Sequence, residues 1–130
     1  MSTTAPYGTW PSPITPGTIT TRTVRLSQVR VDGPDTYWVE QRASQAGRNV
    51  LLRRDGDGQI GEILPLTPAD ELVDVRTRVH EYGGRAYAVD SGIVVVSHAG
   101  DGRLYRYDVN HRLRGLVPLT IYGDVRHGDL

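Results

Sequence analysis

From Val24 onward, apolar side chains alternate with polar ones, and this period of two predicts short β-strands. The runs end at Gly, Asp or Ser, as strands bounded by turns do. Residues 55–58 read Asp-Gly-Asp-Gly, which is a strong hairpin signal. Asp55 and Gly58 are therefore assigned a structural role in a turn. The predicted strands are residues 24–31, 36–42, 49–54, 60–64, 86–90, 93–97, 103–108 and 117–120.

The strand pattern repeats at a fixed spacing. Asp55 and Asp108 stand 53 positions apart (108 − 55), and Leu64 and Val117, which open matching Pro-Leu-Thr runs, stand at the same distance (117 − 64). A repeat of about 50 residues with four short strands and glycine turns is typical of a β-propeller blade. The alternative, a two-sheet sandwich, would have similar strand spacing without a sequence repeat.

The sequence therefore predicts an all-β fold: an incomplete β-propeller of about two four-stranded antiparallel blades behind an extended amino-terminal arm. Asp32 and Asp90 stand 58 positions apart (90 − 32), so an insertion is expected between these landmarks, around residues 66–74. The predicted segments are an arm at 1–23, a first blade and connection at 24–75, a second blade at 76–121, and the start of a third blade, cut off, at 122–130.

The arm is rich in Thr, Ser, Pro and Gly. Its prolines predict that it contains no regular helix. Trp10 is one of its few large apolar residues and is assigned a structural role in docking the arm. A disordered tail is the alternative.

Charge and composition exclude several classes of partner. The 15 basic and 15 acidic residues cancel, which leaves no net field to attract nucleic acid or an anionic membrane. The chain has no Cys, so disulfides and thiolate metal sites are excluded. No apolar run approaches the roughly 20 residues of a membrane span, and the amino end lacks a signal-peptide pattern. We expect a cytoplasmic protein.

Segment 76–88 is the densest mixture of charged, aromatic and glycine residues, and it joins one repeat to the next. It is interpreted as a loop that delivers polar side chains, a turn at Gly83 and Gly84, and then an inner strand. Gly84 is expected to be the more constrained glycine of the two. A plain inter-repeat loop is the alternative.

No metal site or cofactor is predicted. His80 with Glu81 would need a second histidine at position 84 to form a zinc-protease motif, and that position is Gly. The Asp55 to Gly58 run lacks the remaining ligands of a calcium loop. A phosphate-binding loop is excluded because its Lys-Ser/Thr pair is missing.

Three stretches carry a family resemblance: Tyr7 to Thr15, Gly47 to Leu51, and Arg76 to Gly84. They resemble the amino-terminal propeller of the prolyl oligopeptidase family, in particular its bacterial dipeptidyl aminopeptidase/acylaminoacyl peptidase branch. The resemblance implies a seven-bladed propeller over an α/β-hydrolase domain with a catalytic serine, aspartate and histidine. Arg85 departs from the family, which usually has a third glycine there.

The catalytic motif of that family is absent from the sequence, since no serine stands in a Gly-x-Ser-x-Gly elbow. The resemblance therefore implies a propeller fragment of a serine peptidase that gates and steers peptide substrates and is non-catalytic by itself. Its expected partners are an α/β-hydrolase domain or further blades. The alternative is a stand-alone propeller-type module that self-assembles or binds a protein partner.

The candidate substrate-binding residues come from the same segment. Acidic residues lining such a propeller can bind a substrate's free amino group, which makes Glu81 the main candidate. An ion pair between Glu81 and a nearby arginine is the alternative. The candidate substrate-binding set is His80, Glu81, Tyr82 and Arg85.

If the second blade lacks a neighbour, its uncovered face is expected to include residues from Val94, Val96, Leu104 and Tyr107.

Overall fold

A computed structural model of the chain describes residues 4, 6–9, 13–21, 23–79, 83–121 and 125–130. In that part of the chain, eight strands form two antiparallel sheets, each with its strands in sequence order. The predicted all-β fold with two four-stranded sheets is confirmed. The first sheet contains β1 Val24–Asp32, β2 Asp35–Arg42, β3 Arg48–Arg54 and β4 Ile60–Glu62, and the second contains β5 Tyr87–Asp90, β6 Ile93–Ser97, β7 Leu104–Asp108 and β8 Val117–Pro118.

The arm contains a short helix, α1 Pro16–Thr21. Pro16 occupies the first helical position, where a missing N–H costs nothing. The Oγ1 atom of Thr15 accepts a hydrogen bond from the N–H of Thr18 (3.1 Å), as an N-cap residue does. The prediction that prolines exclude a regular helix here is therefore wrong. Tyr7, further towards the amino end, is fully exposed.

Strand β1 is interrupted by a β-bulge. Ser27 pairs with Val39 and Arg30 pairs with Tyr37, so two residues of β1 oppose one residue of β2. Gln28, the first of these two residues of β1, has a φ of 56°. Bulges of this kind bend a strand and redirect its side chains. This bulge brings Gln28 to the junction between the two sheets.

Corresponding aspartates cap β3 and β7. The Oδ1 atom of Asp55 accepts hydrogen bonds from the N–H groups two and four residues further on (3.1 and 2.8 Å). Asp108 does the same with the N–H groups two and three residues further on (3.0 and 3.2 Å). Gly58, with a φ of 84°, donates its N–H to the carbonyl oxygen of Asp55 (2.9 Å). The 53-residue spacing thus corresponds to the same local structure in both sheets.

The hydrophobic core lies between the two sheets and draws on both of them. Packing the sheets face to face removes one apolar face of each from water, which is the main stabilising contribution for β-sheets of this size. The core includes Tyr37, Val39 and Leu51 from the first sheet, Tyr87, Val94, Val96, Tyr105 and Tyr107 from the second, and Val73 and Val75 from the connection.

The uncovered face of the second sheet differs from the predicted one. Val94, Val96 and Tyr107 are buried against the first sheet, so their assignment to the uncovered face is wrong, whereas Leu104 lies on the face opposite the buried Tyr105, as predicted. Side chains alternate between the two faces of a strand, which puts Ile93 and Val95 on the opposite face. Both are partly exposed.

The connection between the two sheets, which follows β4 and precedes β5, is hydrogen-bonded to residues on both sides. On the side of the first sheet, the N–H of Val75 donates to the Asn49 carbonyl and the N–H of Asn49 donates to the Asp74 carboxylate, both at 2.9 Å. On the side of the second sheet, the N–H of Ala99 donates to the carbonyl of Asp74 (2.9 Å). The division between the first and second blades at residues 75 and 76 stays a prediction, because this segment is hydrogen-bonded to both sheets.

Candidate functional site

The segment that precedes the Gly-Gly turn runs along the second sheet. Val75 forms an isolated bridge with His98, and the next N–H, from Arg76, donates to the carbonyl of Ser97 (3.1 Å). Thr77 is buried, and its hydroxyl donates to the carbonyl of His127. Four residues to which the sequence assigned roles lie outside the described part of the chain: Trp10, His80, Glu81 and Tyr82.

Gly83 is the constrained glycine of the turn. Its φ is 84°, its N–H donates to the carbonyl of Val79 (3.0 Å), and a Cβ there would lie 3.3 Å from the carbonyl oxygen of Thr77. Gly84 has no positive φ, and its Cβ would meet only ordinary contacts at 3.6 Å or more. The expectation that Gly84 is the more constrained is therefore wrong, because the backbone makes its left-handed turn one residue earlier.

The side chain of Arg85 is exposed to solvent and lies beside one carboxylate. Its Nε atom lies 3.7 Å from the carboxylate of Asp129, and both side chains are more than half exposed. Ion pairs of this kind contribute little, with a median of about 0–1 kcal/mol. Arg85 is therefore accessible to a ligand at modest cost.

A shallow depression of about 290 Å³ lies beside Gly83 and Gly84. It is open to solvent, and its walls combine neutral amides with arginines. Such a lining offers many hydrogen-bond donors and amide acceptors. The residues around it include Arg25, Ser27, Gln28, Gln41, Asn49, Arg76 and Thr77.

Gln28 fixes the wall of this depression to the second sheet. Its Oε1 atom accepts a hydrogen bond from the N–H of Ala86 (2.8 Å), and its carbonyl accepts one from the Tyr87 hydroxyl (2.5 Å). Burial raises the pKa of Tyr87 far above its usual value, so its phenol remains a donor even in alkaline solution. The bulge thus positions the backbone that follows the Gly-Gly turn. This role of Gln28 was not predicted from the sequence.

A second depression, of about 260 Å³, lies on the other side of Arg76. His98, in its wall, is buried and accepts a hydrogen bond at Nδ1 from the N–H of Asp74 (3.1 Å). A neutral ring therefore carries its proton on Nε2, which lies 3.7 Å from the Glu71 carboxylate. His98 thus anchors the connection to the second sheet. Other residues around this depression are Arg78, Asp101, Arg126 and His127.

The described residues do not assemble a hydrolytic centre. No hydrogen bond joins a serine to a histidine within the ranges described, and such a pair is what a serine hydrolase with a histidine base uses. No group of three or more His, Asp or Glu residues with metal-binding geometry occurs among them either. None of the described helices is long and apolar enough to span a membrane. The arrangement can bind and position a ligand through hydrogen bonds and arginine charges.

The fold and sequence are similar to those of two solved enzymes. Puromycin hydrolase shares 38% identity and a TM-score of 0.73 over 90% of this chain and 18% of its own. A mutant of that enzyme, complexed with PGG, gives 38% identity and a TM-score of 0.72 over 88% of this chain and 17% of its own. A puromycin-hydrolysing peptidase of Mycobacterium tuberculosis shares 36% identity and a TM-score of 0.79 over 98% of this chain and 20% of its own. No protein-family model and no curated protein matches the chain.

Two four-stranded antiparallel sheets, repeated in sequence and packed on a common core, define an incomplete all-β propeller. The enzymes that share this structure belong to the prolyl oligopeptidase family, and the chain matches their amino-terminal region. The chain therefore belongs with the amino-terminal propeller of that family, as the resemblance indicated. It spans about a fifth of the length of these enzymes.

Proposed function

We propose that this chain is the first part of a propeller that gates and steers peptide substrates toward a peptidase active site, and that it contributes no catalytic residue. The match of both sheets to the amino-terminal region of puromycin-hydrolysing enzymes carries this proposal. The proposed partners are further blades and an α/β-hydrolase domain. Puromycin and short peptides are the substrates to test first, and a cytoplasmic location stays a prediction.

The proposed substrate contacts are His80, Glu81, Tyr82 and Arg85. The depression beside Gly83 is lined by amides and arginines, so an entering amino group needs a carboxylate nearby. Glu81 is the carboxylate closest in sequence to this turn. A substrate preference for a free amino end, as in dipeptidyl aminopeptidases, would follow from such a contact.

The absence of catalysis is tested with an activity-based fluorophosphonate probe on the purified chain. We expect no stoichiometric serine labelling, and no turnover of puromycin or aminoacyl chromogenic substrates. Adding the hydrolase domain of the mycobacterial relative as a separate chain is expected to support turnover only if the two bind. Stoichiometric labelling of any serine, with turnover lost when that serine becomes alanine, would contradict the proposal.

The role of Glu81 is tested by Glu81→Gln in the assembled enzyme. Loss of a charge-assisted hydrogen bond is worth about 1.5–3 kcal/mol, or roughly a 10- to 100-fold fall in kcat/KM. We expect this fall for a substrate with a free amino end and no change for its N-acylated counterpart. Asp57→Asn, at the exposed tip of the β3–β4 hairpin, is the matched control. Equal effects on both substrates would make Glu81 a structural ion-pair partner.

One observation favours a second function, that of a self-assembling interaction module. Leu26, Val29 and Val31 are each more than 60% exposed on the outer side of the first sheet. Ile93 and Val95 line an open depression on the outer side of the second sheet. Apolar patches at both ends are unusual for a monomer. A discrete ring measured by light scattering would favour this function, and a compact monomer at high concentration would contradict it.

A further inference from the structure

Three arginines line the second depression, the one that contains His98, and none of them has a carboxylate partner in the described part of the chain. Arg76 and Arg78 are exposed and alternate with the buried residues of an extended segment, so both project from the same side of it. Residues two apart on a strand are separated by about 7 Å. Arg126 reaches the same segment and donates from one guanidinium nitrogen to the carbonyl of Arg78 (3.1 Å).

The positive charge of these arginines is not offset within the depression. Asp101 is the one acidic residue among the described residues that line it. Its Oδ1 atom accepts a hydrogen bond from the N–H of Arg103 (2.9 Å), and its Oδ2 atom accepts one from the hydroxyl of Tyr105 (2.5 Å). The Arg103 guanidinium also lies 3.9 Å from that carboxylate. Because Asp101 is bonded within its own turn, the depression keeps an excess of positive charge, which attracts anions.

Two buried ring nitrogens in the same wall lack partners. The Nε2 atoms of His98 and His127 are buried and have no hydrogen-bond partner among the described residues. In a neutral His98 ring, Nε2 carries the proton, and the Glu71 carboxylate at 3.7 Å lies beyond hydrogen-bond distance. A Cβ on Gly100 would collide with this Nε2, so the atom faces a part of the wall that has no side chain. Since buried polar atoms are nearly always paired, this wall favours an acceptor from outside the chain.

We propose that the second depression binds the free carboxylate at the carboxyl end of a peptide, with Arg76 and Arg78 holding its two oxygens and Arg126 adding a third positive charge. A guanidinium group presents paired N–H donors that match the two oxygens of a carboxylate. The choice of a peptide as the occupant rests on the proposed function. The excess positive charge and the unpaired ring nitrogens are independent of it.

The size and place of the depression fit the end of a chain. Pockets that enclose a whole small molecule usually have volumes of roughly 300–1,000 Å³. This one measures about 260 Å³ and is open to solvent, so it suits a terminal group. Arg76 and Thr77 also line the depression beside Gly83, so the two depressions adjoin. A short peptide held at both depressions would therefore be recognised by both of its ends.

The test is an NMR titration of the chain with the tripeptide Ala-Ala-Ala in four forms, combining a free or acetylated amino end with a free or amidated carboxyl end. We expect the free acid to bind roughly 10-fold more tightly than the amide, whichever amino end is present. The amide signals of Gly100 and Gly102, in the wall of the depression, should shift with the acid. Equal binding of acid and amide would overturn the proposal and would leave the gating role untouched.

Arg78 is the variant that separates the two depressions, because it lines only the second of them. Arg78→Gln is expected to lower the preference for the acid over the amide by about 3-fold. Arg114→Gln, in an exposed turn away from both depressions, controls for the loss of one positive charge and should not change it. Unchanged Tm values would show that both variants fold. An equal loss of preference in both variants would reduce the effect to net charge, and the proposal would be wrong.

Two further titrations test the identity of the occupant. Glu81→Gln should leave the ratio of acid to amide binding unchanged, because Glu81 is proposed to contact the amino end. Tighter binding of the acid to this variant would show that Glu81 itself pairs with the arginines, which contradicts a site for a peptide carboxylate. Inorganic phosphate should compete with the acid. If phosphate binds while acid and amide bind equally, the depression is a general anion site and the peptide assignment fails.

Discussion

At the residue scale, Gly83 and Gly84 form a matched pair in which only the first needs to be glycine. Gly83→Ala puts a Cβ into a left-handed conformation, which is expected to lower the free energy of unfolding by about 1–2 kcal/mol. Gly84→Ala meets only ordinary contacts and is expected to cost far less. Urea denaturation of the two variants measures the difference. A greater loss from Gly84→Ala would contradict this assignment.

Asp108 gives the chain a predictable pH dependence. Burial acts to raise the pKa of Asp108, but hydrogen bonds from His111 and from the N–H of Asn110 outweigh it and lower the pKa below its usual value. Because the folded-state pKa is depressed, the stabilisation is complete above the unfolded value of about 3.9 and is lost as pH falls through the folded value. Asp108→Asn should therefore reduce stability at pH 7.

The measurement for Asp108 is thermal unfolding at a series of pH values from 7 downward. The difference in Tm between the unaltered chain and Asp108→Asn is expected to shrink as the carboxylate is protonated. Asp57→Asn, with an exposed side chain in another turn, should leave the profile nearly unchanged. A difference that stays constant with pH would show that the hydrogen bonds to Asp108 do not depend on its charge.

At the element scale, the bulge in β1 is expected to stabilise the contact between the sheets. Gln28→Ala removes the acceptor of the buried Ala86 N–H and should lower the free energy of unfolding by about 1–3 kcal/mol. Gln28→Glu keeps an acceptor oxygen and should retain most of that stability. Ser27→Ala, at an exposed neighbouring position, is the control. If Gln28→Ala is no worse than Ser27→Ala, the side-chain hydrogen bond is unimportant.

The strands were predictable because alternation of apolar and polar residues directly reflects which side of a sheet is buried. The bulge also left a signal, since apolar positions in β1 shift from even numbers at Val24 and Leu26 to odd numbers at Val29 and Val31. Helix α1 left a weaker one, because its amino end is held by hydrogen bonds between only two residues, Thr15 and Thr18. Which face of the second sheet is buried could not be predicted, since both of its faces are apolar.

At the scale of the whole molecule, the two sheets depend on each other. The main buried cluster takes side chains from both sheets and from the connection, so each sheet depends on the other for most of its core. The candidate site shares this dependence, since its depression is formed by β1, by the ends of β2 and β3, and by the segment entering β5. His80, Glu81 and Tyr82 keep their proposed roles as hypotheses. Any change that separates the sheets should therefore also alter ligand binding.

The connection through Asp74 and Val75 has a consequence for how the protein opens. This segment is hydrogen-bonded to Asn49 of β3 and to Ala99 in the β6–β7 turn, so separating the sheets breaks its bonds on at least one side and exposes the core that the sheets share. Native-state hydrogen exchange should therefore find the amides of β2, β3, β6 and β7 exchanging with one common opening free energy, as a single foldon. Two separate exchange isotherms, one for each sheet, would contradict this. If one common opening free energy is found, the smallest cooperatively folding unit of this repeat is a pair of sheets and not a single sheet.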